Sequence, residues 1–216
     1  MLLTVTVALH ALAGTVALVS MWIPILAKKG GPAHRKAGRV YEIAMTAVVV
    51  LAWAACAQNL VAGRHLGTVP FLALLALLAL GNPRYGMDVL KPTAPTPFAR
   101  ALAFALIGGG LAAFAYGAST GMVLMIPFAV LCVWFGVQHT RAFAAPPLAR
   151  RARVAAHLGN VLGSCIAGWT AFLVVTSNGR IPLPPLVIWL APTVVFTPMI
   201  VLWGRAWATP TAASPP

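Results

Sequence analysis

The chain is a succession of long apolar runs separated by short polar gaps. A helix that crosses a hydrocarbon core of about 30 Å needs about 20 mostly apolar residues at about 1.5 Å each. The spacing predicts seven such helices, at 3–27, 40–62, 67–83, 99–118, 122–140, 154–177 and 184–204. The third is short. It either stops at GNPR (81–84) or continues past a kink at Pro83 to Leu90. In the second case Arg84 and Asp88 stand four apart on one face and can pair, in the basic-first order. Pro-rich stretches such as KPTAPTP (91–97) and APP (145–147) stop helices rather than mark domain linkers. The expected architecture is an all-α integral membrane bundle of seven transmembrane helices in one domain, 1–207, with a flexible tail at 208–216.

Composition agrees with a lipid solvent. The 216 residues are 61% hydrophobic and 8% charged, against roughly 25% charged in a soluble domain. The cations, 15 Lys and Arg against two acids, fall in the gaps between apolar runs rather than on a polar face, which excludes a nucleic-acid binder. Thirteen of them lie in the first, third and fifth connections and the C-terminal tail, whereas only Arg64 and Arg180 lie in the others. Cations mark the cytoplasmic side, so the N-terminus is expected outside and the C-terminus inside a bacterial cytoplasmic membrane. The N-terminus lacks a basic n-region and its apolar run continues to Ile25, so it reads as a first spanning helix rather than a cleaved signal. Trp22, Trp189, Trp203 and Trp207 lie toward span ends, as interfacial anchors do. Cys56, Cys132 and Cys165 lie inside apolar runs with no CxxC pair and read as small buried side chains.

One segment concentrates polarity. AHRKAGRVYE (33–42) holds a histidine, three cations and one of the two acids. It is expected as the first cytoplasmic loop running into the second helix, with Lys28, Lys29 and Lys36 fixing topology and meeting anionic lipid. Glu42, expected in the first turn of that helix, suits the N-terminal dipole.

Ionisable groups inside a span mark function by default. His10 is about two turns into the first helix, with Thr6 and Gly14 at four-residue spacing. His139 ends the fifth helix and His157 begins the sixth. His157, Asn160, Ser164 and Gly168 share a face of the sixth helix that must look into the bundle. Gly159, Gly163 and Ala167 recur every fourth residue beside it, a spacing that lets a backbone or a flat cofactor approach. Across a short basic loop His139 and His157 fall at similar depth. Two imidazoles from different helices are what axial ligation of a b-type haem requires, and Arg39 and Arg141 could hold its propionates. Cys132, seven before His139, would allow a Cys/His copper site only with further soft ligands. His10 with His65, from an outer loop, would give a second haem. His34, Arg35, Tyr41 and Glu42 form a candidate polar site at the inner face. Packing and interfacial anchoring account for the same residues without a cofactor.

HRKAGRVYEIAM (34–45), HTRA (139–142), HLGNVLGSCIAGWTAFLVV (157–175) and WLAPTVVFTPMIV (189–201) together resemble a family of multi-pass bacterial membrane proteins known only as domain of unknown function 2306. The resemblance spans His10 to Trp203. It implies a seven-helix bundle with His10, His34, Arg35, Arg39, Tyr41, His139 and His157 at signature positions, and no reaction. Where that family's pattern reads Gly before the final Thr-Pro, this chain has Phe196.

Three functions follow as expectations. The first is a haem b electron-transfer protein linked to quinol. The second is a non-catalytic transmembrane subunit of a larger respiratory or photosynthetic complex, supported by the want of a catalytic constellation. The third is a proton-coupled transporter relaying protons through Glu42 and His34.

Overall fold

The computed structural model describes residues 2–91, 93–146, 148–177, 180 and 182–208; the expected tail beyond 208 lies outside them. Among the described residues every regular segment is helical: α1 (Leu2–Ser20), α2 (Trp22–Leu26), α3 (Pro32–Val61), α4 (Val69–Asp88), α5 (Pro97–Thr120), α6 (Met125–Ala144), α7 (Arg150–Ser177) and α8 (Pro185–Ala208). Only Met21 separates α1 from α2, so the eight segments make seven rods. Six of these are long and apolar enough to cross a bilayer: Leu2–Leu26, α3, α4, α5, α7 and Leu186–Trp207. The seventh, α6, falls short because Gln138, His139, Thr140 and Arg141 load its C-terminal end with polar groups.

Local chemistry sets the helix ends. Pro24 cannot donate to the carbonyl four residues back, and the helix breaks at Met21 just before it. α3 begins at Pro32, eight residues before the expected start. Proline suits the first helical position because its missing N–H would be unpaired there anyway, and Ala, Arg, Lys and Glu are strong helix formers. AHRKAGRVYE is therefore helix, not loop. His34 lies in the first turn of α3, and Glu42 lies three turns in, so the dipole role expected for Glu42 does not hold: the first turn contains no acid. α4 continues through Pro83 to Asp88. Beyond the proline, Arg84 donates to both carboxylate oxygens of Asp88, at 2.9 and 3.0 Å. Thr96 caps α5 by accepting from the Ala99 amide at 3.1 Å, with Pro97 next. Gly121 closes the same helix at φ 71°, a left-handed conformation that glycine adopts without strain.

The chain divides into two compact units, one of the residues up to Gly81 with Pro95–Ala144, the other of Asn82–Ala94 with the residues from Ala145 on. The division crosses α4 between Gly81 and Asn82. In the first unit α1 packs on α3 and α5 on α6. Its core joins Leu74 and Leu78 of α4, Leu106 and Ala113 of α5, and Met125, Ala129 and Cys132 of α6. Phe71 meets Phe128 edge to face, with ring centroids 5.5 Å apart. The α5/α6 seam is closed by two glycines. A Cβ on Gly110 would lie 2.8 Å from the Ala129 oxygen, and one on Gly136 would lie 2.8 Å from the Ala103 oxygen. In the second unit α7 packs on α8, burying Leu158, Leu162, Cys165 and Phe196. Phe196 is only 2% exposed.

Candidate functional site

Polar side chains inside the helices are tied to backbone carbonyls, and the histidines show it best. In the first unit, His10 of α1 places Nδ1 2.9 Å from the Val48 oxygen of α3. One turn toward the N-terminus, Gln58 Nε2 donates to Thr6 Oγ1 at 3.0 Å, and the Thr6 hydroxyl donates to the Leu2 oxygen. One turn the other way, a Cβ on Gly14 would touch Val48 at 3.9 Å. The stripe of Thr6, His10 and Gly14 read from the sequence is thus the α1/α3 contact. A carbonyl only accepts, so Nδ1 of His10 is the donor in this contact.

His34 repeats the arrangement. Its Nδ1 lies 3.0 Å from the Pro24 oxygen of α2. Lys29 donates to the same carbonyl at 3.1 Å and to the Ile25 oxygen, and Arg35 donates to the Gly30 oxygen at 2.9 Å. The last carbonyls of a helix have no partners within it, and here a loop lysine and His34 of the next helix supply them, while Arg35 ties down the loop itself. Partial desolvation in this position lowers the Lys29 pKa. Tyr41 is buried at 4% and Glu42 half-buried, whereas Arg35 and Arg39 are exposed. Of the polar group expected from His34, Arg35, Tyr41 and Glu42, His34 and Arg35 thus tie down the loop before α3, and Tyr41 and Glu42 lie further along the helix.

His139 is 4% exposed, on the α6 face that also buries Met125, Ala129, Cys132 and Gly136. Its ring centroid is 6.2 Å from that of Phe135. Cys132 does share its face, as the seven-residue spacing implied. Arg141 is exposed in the last turn. His65 stands exposed in the turn before α4 at φ 54°, and its carbonyl accepts from Thr68.

In the second unit His157 lies in the second turn of α7, because that helix starts at Arg150 rather than 154. Its Nδ1 is 2.8 Å from the Gly86 oxygen, in the last turn of α4 where carbonyls lack helical partners. The fit needs glycine: a Cβ on Gly86 would lie 3.0 Å from Asn160 Cβ and 3.3 Å from the His157 oxygen. Ser164 is 2% exposed and donates to the Val161 oxygen. Asn160 donates to the Ala156 oxygen at 2.8 Å while its own Oδ1 is buried without a partner among the described residues, as is that of Asn82. In the first turn of α7, Arg151 donates to the Ala206 and Trp207 oxygens of α8, each at 3.3 Å.

Along the repeat read from the sequence, no other segment of the described residues comes close at Gly159 or Gly163. A Cβ on Gly159 would meet only Ile200, at 4.0 Å, and one on Gly163 would meet nothing. Tight contacts occur instead at Gly86, Gly110 and Gly136, none of which lies in that four-residue repeat. The acceptors that hold the histidines, at Val48, Pro24 and Gly86, were invisible to sequence reasoning because every residue has a carbonyl. Only the proline just before Gly86 hinted at an unusual helix end.

His10, His34, His65 and His139 belong to the first unit and His157 to the second. No group of three or more His, Cys, Asp or Glu that could hold a metal ion occurs among the described residues. No protein-family profile, curated protein or solved structure matches the chain.

Proposed function

We propose that the chain is a protein of the bacterial cytoplasmic membrane, a member of the family it resembles, which crosses the bilayer seven times from an external N-terminus and carries electrons from quinol through b-type haem. The observation that supports the reading is the His157 tether. Histidines that ligate metals almost always donate their other ring N–H to a carbonyl or carboxylate, which fixes tautomer and ring orientation. The Gly86 carbonyl does this for His157, and the Val48 carbonyl for His10.

A b haem would supply reversible one-electron chemistry. The donor set it would need is two neutral imidazoles and cations for the propionates. His157, its Nδ1 held by the Gly86 carbonyl, would supply one of the imidazoles. The sequence alone offers His139 as a second ligand and Arg141 as a propionate partner. A second haem would draw on His10 and, from the loop, His65. The remaining cationic ends fix direction and hold helix termini, as Arg151 does on α8.

An absorption spectrum of protein purified from haem-replete cells tests the reading. A Soret band is expected, lost in both His157→Ala and His157→Gln. The Gln variant keeps a donor for the Gly86 carbonyl, so it separates ligation from folding. A colourless preparation would leave the non-catalytic subunit as the surviving function. The topology has its own test: a cysteine at Arg151 should react with an impermeant maleimide only in inverted vesicles.

A further inference from the structure

The cations that the sequence groups together are sorted by the structure into two kinds. Lys29, Arg35, Arg151 and Arg153 spend their N–H groups on backbone carbonyls, and Arg84 and Lys91 face Asp88. Lys36 and Arg39 do neither. Both are exposed, and neither side chain makes a hydrogen bond or ion pair among the described residues. They stand three apart, about one turn, on the same side of α3.

That side continues as an apolar stripe. Val40 is 42%, Ile43 64% and Val50 56% exposed, at the positions one, two and four turns along from Lys36. The opposite side of the helix, with Ala37, Tyr41, Ala44, Met45 and Val49, is buried. α3 has 30 residues and is therefore about 45 Å long, about 15 Å more than a hydrocarbon core. If its apolar 42–61 portion fills the core, Lys36 and Arg39 fall in the headgroup layer, with Ile43 and Val50 directly below among acyl chains.

We propose that Lys36 and Arg39 bind the phosphodiester of an anionic phospholipid whose acyl chain lies along Val40, Ile43 and Val50. Charge decides the occupant. A second copy of this chain, with net charge +13, brings cations to cations, whereas a phosphodiester brings the missing anion and a chain of matching polarity. Lys29, which composition alone assigns to lipid, is instead occupied at the end of α2. This assignment gives Arg39 to the phosphodiester rather than to a haem propionate, and it needs no haem to be present.

The test is native mass spectrometry of the full-length protein titrated with phosphatidylglycerol in detergent, comparing wild type, K36Q/R39Q and a control, R100Q/R150Q, that removes two other exposed cations. Each cation near an anionic surface contributes enough to change affinity about fivefold, so the double variant should bind about thirtyfold more weakly and the control within about twofold of wild type. I43Q should also weaken binding several-fold, and K36R/R39K should restore it. Equal losses in K36Q/R39Q and the control would reduce the site to general surface charge and overturn the proposal. So would unchanged binding in I43Q, displacement by inorganic phosphate alone, or a wild-type dimer that K36Q/R39Q dissociates. Thermal melting of each variant shows that it is folded; should K36Q/R39Q not fold, the single variants K36Q and R39Q decide, each at about fivefold.

Discussion

Along the α5/α6 seam Gly110 and Gly136 bring backbone to backbone among apolar side chains, and Leu106, Met125, Ala129 and Cys132 around them are fully buried. At the end of α4 a single glycine, Gly86, instead brings α7 close enough for an imidazole to reach a carbonyl, beside Asn160, whose side-chain oxygen has no partner among the described residues. Both regions use the absence of a side chain. In lipid, where helices gain little from burying apolar surface, the first is held by van der Waals contact and the second by a hydrogen bond. Contact of the first kind tolerates no added atom, whereas the second tolerates a change of shape that preserves the donor.

The largest expected effect comes from filling the seam. In Gly136→Val the new Cβ meets the Ala103 oxygen at 2.8 Å and the Ile107 amide nitrogen at 2.9 Å. Neither can rotate away, so a loss of about 3 kcal/mol is expected, the upper end of what overpacking typically costs. Gly163→Ala is the matched comparison. It adds a methyl to open space and should gain about 0.5–1 kcal/mol from helix propensity. Melting curves in one detergent compare them. If Gly163→Ala were as damaging as Gly136→Val, the contrast between the two helices would be wrong.

That pair of glycines also shows what the sequence could and could not disclose. Seven apolar rods were legible, because the length of an apolar run and the charge of its gaps follow directly from composition. The Arg84–Asp88 pair was legible because four-residue spacing on a helix fixes geometry. The start of α3 was missed by eight residues, since hydropathy ends a span where charge begins, while helix propensity carries it on through AHRKAGRVYE to Pro32. Glycine spacing misled: Gly159 and Gly163 have the repeat but not the contact, while Gly110 and Gly136 meet α6 and α5 backbones that no local pattern specifies. Among the site residues, the direction of His157 depended on a carbonyl 71 positions away, which side-chain patterns do not encode.

The next effect concerns that carbonyl. His157→Ala leaves the Gly86 oxygen without its donor in a half-buried place and should cost about 1–3 kcal/mol. His157→Gln restores an N–H of similar reach and should recover at least half of the loss. Arg151→Gln, which loosens the end of α8 in the same unit, should cost about 1 kcal/mol, since its two bonds are long and one is exposed. Thermal melting of the three variants ranks them. Equal damage from His157→Ala and His157→Gln would mean that ring shape, not the hydrogen bond, holds α7 there.

The smallest effect is expected at the pair that was easiest to read. Arg84 and Asp88 are bonded bidentately but remain 33% and 17% exposed, and both ends belong to one helix turn, so breaking them separates no helices. Arg84→Gln should cost about 0.5 kcal/mol, as exposed four-residue pairs do. Asp88→Asn should cost somewhat more, because Lys91 also approaches that carboxylate, at 3.6 Å. Raising the salt to about 1 M, where the screening length falls to about 3 Å, should shrink both differences while leaving those of Gly136→Val and His157→Ala unchanged. A loss above about 2 kcal/mol in Arg84→Gln, insensitive to salt, would show that this guanidinium holds the end of α4 in the way His157 does, and the polar contact would then have two anchors rather than one.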